Sequence, residues 1–124
     1  MSKFTAVDKL FFKYLVKTRG HICEIHNREC SNIGTLHILG KGTYPRLRYN
    51  TINCILSGWF CSHFYMHHNS DDPRAIYAKK RILELRGYVT WEALRDDLKL
   101  KARISPKVDL KMLSIFFKNK LEAK

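Results

Sequence analysis

Apolar residues recur at three- and four-residue steps in four stretches of the chain, and each stretch predicts an amphipathic helix. The first runs from Thr5, read as its cap, through Asp8, Leu10, Phe11, Tyr14, Leu15 and Val16 to a stop at Thr18-Arg19-Gly20, with lysines on its outer face. Asp72-Pro73 starts a second, which carries Ala75, Ile76, Ala78, Ile82, Leu83 and Leu85 and stops at Gly87. Thr90 caps a short third helix with Trp91, Leu94 and Leu98. The last runs from Val108 through Leu113, Phe116, Phe117 and Leu121, with Lys107, Lys111, Lys118 and Lys120 outside, and the segment Lys99 to Pro106 reads as a hinge before it. Between helices the pattern changes. From His21 to Asn50 it is short and broken by turn signals (Asn32-Ile33-Gly34, Gly40-Lys41-Gly42, Tyr44-Pro45), which suits small strands and loops. Thr35-Leu36-His37-Ile38 alternates like a strand. The fold class is therefore α+β.

A chain of 124 residues fits one domain. It divides into an N-terminal helix over 1–20, a compact middle over 21–70 and a helical part over 71–124. At 45% hydrophobic and 12% aromatic it has the material for a core, which argues against global disorder. No apolar run approaches the roughly 20 residues of a membrane span, and the N-terminus has no signal-peptide hydrophobic region. A soluble, intracellular, cytoplasmic protein without membrane attachment is the expectation.

Charge narrows the partners. Lys and Arg total 23 against 11 Asp and Glu, a formal charge of +12, and the simplest use for that excess is a polyanion, nucleic acid before membrane. The stretch from Cys30 to Ser70 contains no carboxylate, yet it holds Lys41, Tyr44, Arg46, Arg48, Tyr49 and four of the six histidines. Such a segment approaches phosphates without repulsion and cannot build a magnesium site from clustered acids. Any metal there must rest mainly on imidazole or thiolate.

Cysteine and histidine spacing supplies candidates. Intracellular thiols stay reduced, so four cysteines argue for metal rather than disulfides. Cys23-Glu-Ile-His26 has the C-x2-H spacing of a zinc knuckle, with Cys30 close behind and Cys61 beyond the middle segment. Cys54 competes for the fourth place, because Cys23/Cys30 and Cys54/Cys61 share one spacing, although inside Ile52-Asn53-Cys54-Ile55-Leu56 it reads better as a small buried hydrophobe. If Trp59 to His68 is one helix, His63 and His67 lie on one face and can chelate a divalent ion. His37, then Asn53 sixteen positions on, then His63 ten further, completes the constellation.

These residues resemble the HNH, or ββα-metal, endonuclease family, and within it the phage recombination nucleases of the NinG/Rap type and related phage HNH endonucleases. The likeness runs roughly from Asp8 to Leu121. It includes the leading basic helix, the knuckle after Gly20, His37-Ile followed by Gly-Lys-Gly, Pro45-Arg-Leu-Arg-Tyr, Asn53, the Cys61 and His cluster, and the Asp72-Pro73 helix. The resemblance implies a small zinc-stapled ββα-metal core flanked by helices. It implies His37 as general base, Asn53 as the residue tying the ββ loop, and His63 and His67 as ligands of a catalytic Mg2+ or Mn2+, with His68 as the alternative to His67. It places Cys23, His26, Cys30 and Cys61 around a structural Zn2+. Arg46 and Arg48 lie where the family places basic residues near the substrate backbone, and Lys41 of the basic middle segment is a further candidate for contacting nucleic acid. Leu36 stands where many relatives carry an Asp or His ligand, so the catalytic ion rests on two histidines and phosphate oxygens.

The implied activity is hydrolysis of phosphodiester bonds in double-stranded or branched DNA. A non-catalytic zinc-knuckle module that binds nucleic acid explains charge and knuckle, and an RNase or nicking toxin on the same scaffold is a third reading. Phe116 and Phe117 offer a homodimer surface, although core packing is the better reading of both.

Overall fold

Five α-helices and a two-stranded antiparallel sheet make up the computed structural model, which describes residues 2–68 and 70–123. Helix α1 (Thr5–Arg19) is followed by strand β1 (Ile33–His37), a 3-10 turn (Pro45–Leu47) and strand β2 (Cys54–Gly58). A π-helical turn (Trp59–His63) leads into α2 (Phe64–His68), then α3 (Pro73–Arg86), α4 (Trp91–Ile104) and α5 (Leu110–Glu122). Register in the sheet pairs Ile33 with Gly58 and His37 with Cys54.

The sheet separates two apolar clusters, because successive β2 side chains point to opposite faces. Cys54 and Leu56 join Val7, Phe11, Leu15 and Phe117 beneath α1 and α5. Ile55 joins Leu36, Leu39, Leu47, Ala78, Ile82, Leu94 and Leu98 beneath α3 and α4. With both faces covered, every residue of β2 is buried.

Helix ends follow their local chemistry with two corrections. Phe4, not Thr5, is the cap residue of α1, and the hydroxyl of Ser2 accepts from the Phe4 N–H at 3.1 Å, so Thr5 lies inside the first turn. Asp72, Thr90 and Asp109 cap α3, α4 and α5 by accepting from Arg74, Ala93 and Met112. Gly87 ends α3 at φ 77°, a left-handed conformation that glycine adopts without a Cβ clash. The hinge expected over Lys99 to Pro106 is mostly helix, because Leu98 and Ala102 keep α4 on the core down to Ile104. The short third helix thus has 14 residues.

Helix α5 closes back on α1. Phe117 is buried against Phe11 and Tyr14, both at ring centroid distances of 5.4 Å, while Lys17 donates to the carbonyls of Lys120, Leu121 and Ala123 at the end of α5. Phe116 is 46% exposed, so core packing accounts for only one of the two phenylalanines. Among the described residues no helix is long and apolar enough to cross a membrane.

Candidate functional site

The knuckle is built by a tight turn pinned to the sheet. Asn27 takes φ 53°, its N–H donates to the Cys23 carbonyl, and the Cys23 N–H donates to the Arg28 carbonyl at 2.9 Å, which folds the segment on itself. Glu24 fastens it to β2: its N–H donates to the Leu56 carbonyl at 2.8 Å and its carboxylate accepts from the Leu56 N–H at 2.6 Å and from Arg19 at 3.1 Å. Cys61 arrives from the π-helical turn after β2. The ligand atoms of Cys23, His26, Cys30 and Cys61 all lie within 4.8 Å of one another, a Cys3His set that could hold a metal and suits zinc.

Local electrostatics favour a metal-ready thiolate. Burial works against ionising Cys23, but hydrogen bonds from the Gly58 backbone, the His26 side chain and backbone, and Cys61 outweigh it and lower the thiol to about 6. Burial pushes Cys61 up to about 11, its hydrogen bond from Ser62 notwithstanding, and the Cys23 and Cys30 sulfurs add to the rise. Deprotonating a second thiol beside the first therefore calls for a cation. Gly58 is required for space: a Cβ there would lie 2.7 Å from both Cys30 Cβ and Cys61 Sγ. The ring of Tyr77 stacks on His26 at 5.5 Å and holds its orientation.

Cys54 stands outside this group. It is fully buried in the cluster under α1, its Sγ is 3.7 Å from the Arg48 carbonyl, and burial pushes its thiol up to about 12. The shared spacing with Cys61 fails as a guide because Cys54 lies in the strand, facing α1.

Strand β1 delivers His37. Its Nε2 is 2.9 Å from the Arg48 carbonyl, which can only accept, so Nε2 carries the proton and Nδ1 keeps the lone pair of the neutral ring. Burial holds the imidazole below its usual value; the carbonyl bond pulls upward, and Lys41 and Arg48 reinforce the lowering. Such a ring is neutral at pH 7 and able to accept a proton. Asn53, fully buried, locks the loop between the strands: its Oδ1 accepts from the Leu39 N–H at 2.8 Å, and its Nδ2 donates to the carbonyls of Leu39 at 3.0 Å and Leu47 at 3.3 Å.

The histidines beyond β2 come from two helical geometries rather than one expected helix over Trp59 to His68. His63 ends the π-helical turn and His67 lies on α2, and their ring centroids are 4.9 Å apart. Burial lowers His63 to about 4, with His67, His37 and Lys41 contributing, and burial also lowers His67. His68 packs on Phe64 at 4.7 Å and its ring stands 6.5 Å from that of His67. Among the described residues, no group of three or more metal-ligating side chains forms around this pair. Leu36 is buried in the core and offers no ligand.

Two expectations about charge change. Arg48 is bound to Asp8 through two hydrogen bonds of 3.0 and 2.6 Å and lies over the Phe4 ring, so it is structural rather than free for a phosphate. Asp8 also accepts from the Tyr49 hydroxyl at 2.7 Å, which brings a carboxylate from α1 to the segment that lacks its own. Desolvation opposes its ionisation, but the bonds from Arg48 and Tyr49 prevail and hold it below the ordinary carboxylate value. A signal for this was present: Asp8 shares a helical stripe with Phe11 and Leu15, and an acid on a core stripe needs a partner. Arg46 is exposed and donates to the Ser105 carbonyl at 3.1 Å, and Lys41 is exposed near His37 and His63.

Sequence reasoning missed Lys79 of α3 and Arg95 of α4, which line a cavity of about 240 Å3 together with His37 and His67. Each borders its helix's apolar stripe, Lys79 beside Ala78 and Ile82 and Arg95 between Trp91 and Leu98. No family model, curated protein or solved structure matches this chain.

Proposed function

We propose that this chain is a metal-dependent DNA endonuclease of the HNH, ββα-metal kind, hydrolysing phosphodiester bonds with His37 as general base. The observation that carries the reading is His37 itself: a half-buried, neutral imidazole at a strand end, its Nε2–H held by a carbonyl, with the His63/His67 pair nearby. A β1–loop–β2 unit followed by a helical segment bearing the histidines, next to a Cys3His cluster, supports the same assignment.

Phosphodiester hydrolysis needs an activated water and stabilisation of the charge developing on phosphate and leaving oxygen. His37 Nδ1 accepts the proton of the attacking water, and the Arg48 carbonyl fixes the tautomer that makes this possible. Asn53 is a positioning residue: by tying Leu39 to Leu47 it fixes the loop that starts beside His37 and carries Arg48. His63 and His67, neutral at pH 7, fit a divalent ion completed by substrate oxygens, and imidazole donors suit Mn2+ better than Mg2+. Such an ion supplies Lewis-acid stabilisation of the phosphate and leaving oxygen when bound. Lys41 and Arg46 contact the nucleic-acid backbone, and Zn2+ at the cysteine cluster is structural.

The absence of a third ligand beside His63 and His67 among the described residues favours a second reading, a zinc-knuckle module that binds nucleic acid without cleaving it. Incubating zinc-loaded protein with supercoiled plasmid, a synthetic four-way junction and RNA, each with Mg2+, Mn2+ or EDTA, separates the two. Divalent-dependent cleavage of DNA is expected; binding without cleavage under every condition supports the second reading, and cleavage of RNA alone makes the chain an RNase.

A further inference from the structure

The cavity beside His37 and His67 brings together four elements: β1 supplies His37, α2 His67, α3 Lys79, and α4 Trp91 and Arg95. Among the described residues no acidic side chain lines it. Lys79 and Arg95 are both half-buried, and among the described residues neither joins an ion pair. Elsewhere the half-buried arginines are satisfied within the protein: Arg19 and Arg86 donate to carbonyls of the β2 approach, Arg48 to Asp8 and Arg81 to Glu84. Two cations that share a cavity without an anion are placed to take one from solution. Trp91 lies beneath the Lys79 ammonium at 5.8 Å, which limits where that head group sits. At about 240 Å3 the cavity is below the roughly 300–1,000 Å3 of sites that enclose drug-sized molecules, so it suits a tetrahedral anion rather than a base or a dinucleotide.

We propose that Lys79 and Arg95 form a phosphate-binding site facing His37 and His67, which holds a backbone phosphate of the nucleic-acid strand in the site. The phosphate source rests on the nuclease reading; the anion site itself rests on the cavity. Arg95 supplies a planar fork for two phosphate oxygens and Lys79 a point charge from the neighbouring helix. Apolar packing holds α3 and α4 against the ββ unit, and Lys79 and Arg95 give the cavity between them a positive wall.

The test uses the zinc-loaded full chain without added Mg2+ or Mn2+, with inorganic phosphate as the probe. Imidazole NMR signals of His37 and His67 should shift saturably as phosphate is added. In Lys79→Gln/Arg95→Gln the apparent affinity should fall by about tenfold or more, while Lys118→Gln/Lys120→Gln on α5 should match wild type. Absence of a shift in wild type, or equal affinity in the Lys79/Arg95 variant, overturns the site. A variant with lost amide dispersion is replaced by Lys79→Met and Arg95→Met singly, each expected to weaken phosphate binding with the fold intact, and unchanged binding in both overturns the site. Cleavage separates this proposal from the one it rests on. Phosphate-dependent shifts in a protein that cleaves nothing keep the anion site and remove the nuclease reading. Cleavage by the double variant with wild-type KM removes the anion site and keeps the nuclease. The expected result is a raised KM with kcat changed much less.

Discussion

Two groups of metal-capable side chains meet at the turn from β2 into α2, and they differ in completeness. The Cys23, His26, Cys30 and Cys61 cluster offers four ligands, which fills a tetrahedral ion and leaves no position for a substrate. The His63/His67 pair offers two, so an ion there keeps open positions. Ser62 and Cys61 precede His63 directly, so one short π-helical turn serves both groups. A closed site is suited to holding the fold, and an open one to chemistry. The difference teaches that ligand count, rather than residue type, separates the two groups, since histidine occurs in both.

Removing the closed site should have the largest effect. Structural zinc contributes apparent binding energies of about 10–16 kcal/mol in small domains, so chelation or Cys61→Ser should lower the melting temperature by roughly 10 °C or more and collapse the histidine pair with it. Calorimetry with metal analysis checks this; zinc loss without a change in melting would mean that the knuckle is not what fastens the turn. Gly58→Ala is a milder version. Its backbone at φ −67° tolerates alanine, but the added methyl meets Cys30 and Cys61, so a loss of about 1–3 kcal/mol with weaker zinc retention is expected in denaturant titration.

The arginines sharpen the contrast between holding and acting. Arg48→Met should cost about 1–3 kcal/mol of stability, because Asp8 loses its two donated bonds. Arg46→Ala should leave stability unchanged and lower the dependence of DNA affinity on salt by about one unit of log-log slope. Unfolding curves and salt-titrated binding read these separately, and the reverse pattern would exchange the two roles. The smallest effect is expected for Thr5→Ala, within about 0.5 kcal/mol, because Thr5 makes no capping bond.

Periodicity revealed the helices, since α1, α3, α4 and α5 each carry an apolar stripe that needs a core. The ligand set at the knuckle was legible for a similar reason, because C-x2-H spacing confines both side chains to one turn. The apolar run around Cys54 also favoured Cys61 as the fourth ligand, and the pleat of β2 gives the physical reason, turning Cys54 toward α1 while the chain leaves the sheet before Cys61. Details that depend on distant partners were not legible. Arg48 looked free because its acid stands 40 positions earlier, on α1. Lys79 and Arg95 could not be linked to His37 before α3 and α4 were placed against the sheet. The expected Thr5 cap failed because Phe4 took the cap position with Ser2 supplying the acceptor to its N–H, a local choice that residue type alone does not decide.

The open site's role turns on His37. Its lowered pKa has a definite sign: the base is neutral above a value below 6.5, so cleavage should be flat through neutral pH and fall as pH drops below that range. The most direct measurement is nicking of supercoiled plasmid in Mn2+ by wild type and His37→Ala, with DNA binding and zinc content measured on the same samples. Wild type should cleave with that acid limb, and His37→Ala should lose about 10²–10⁴-fold in rate while binding DNA and zinc as before. Undiminished divalent-dependent cleavage by His37→Ala would contradict the assignment.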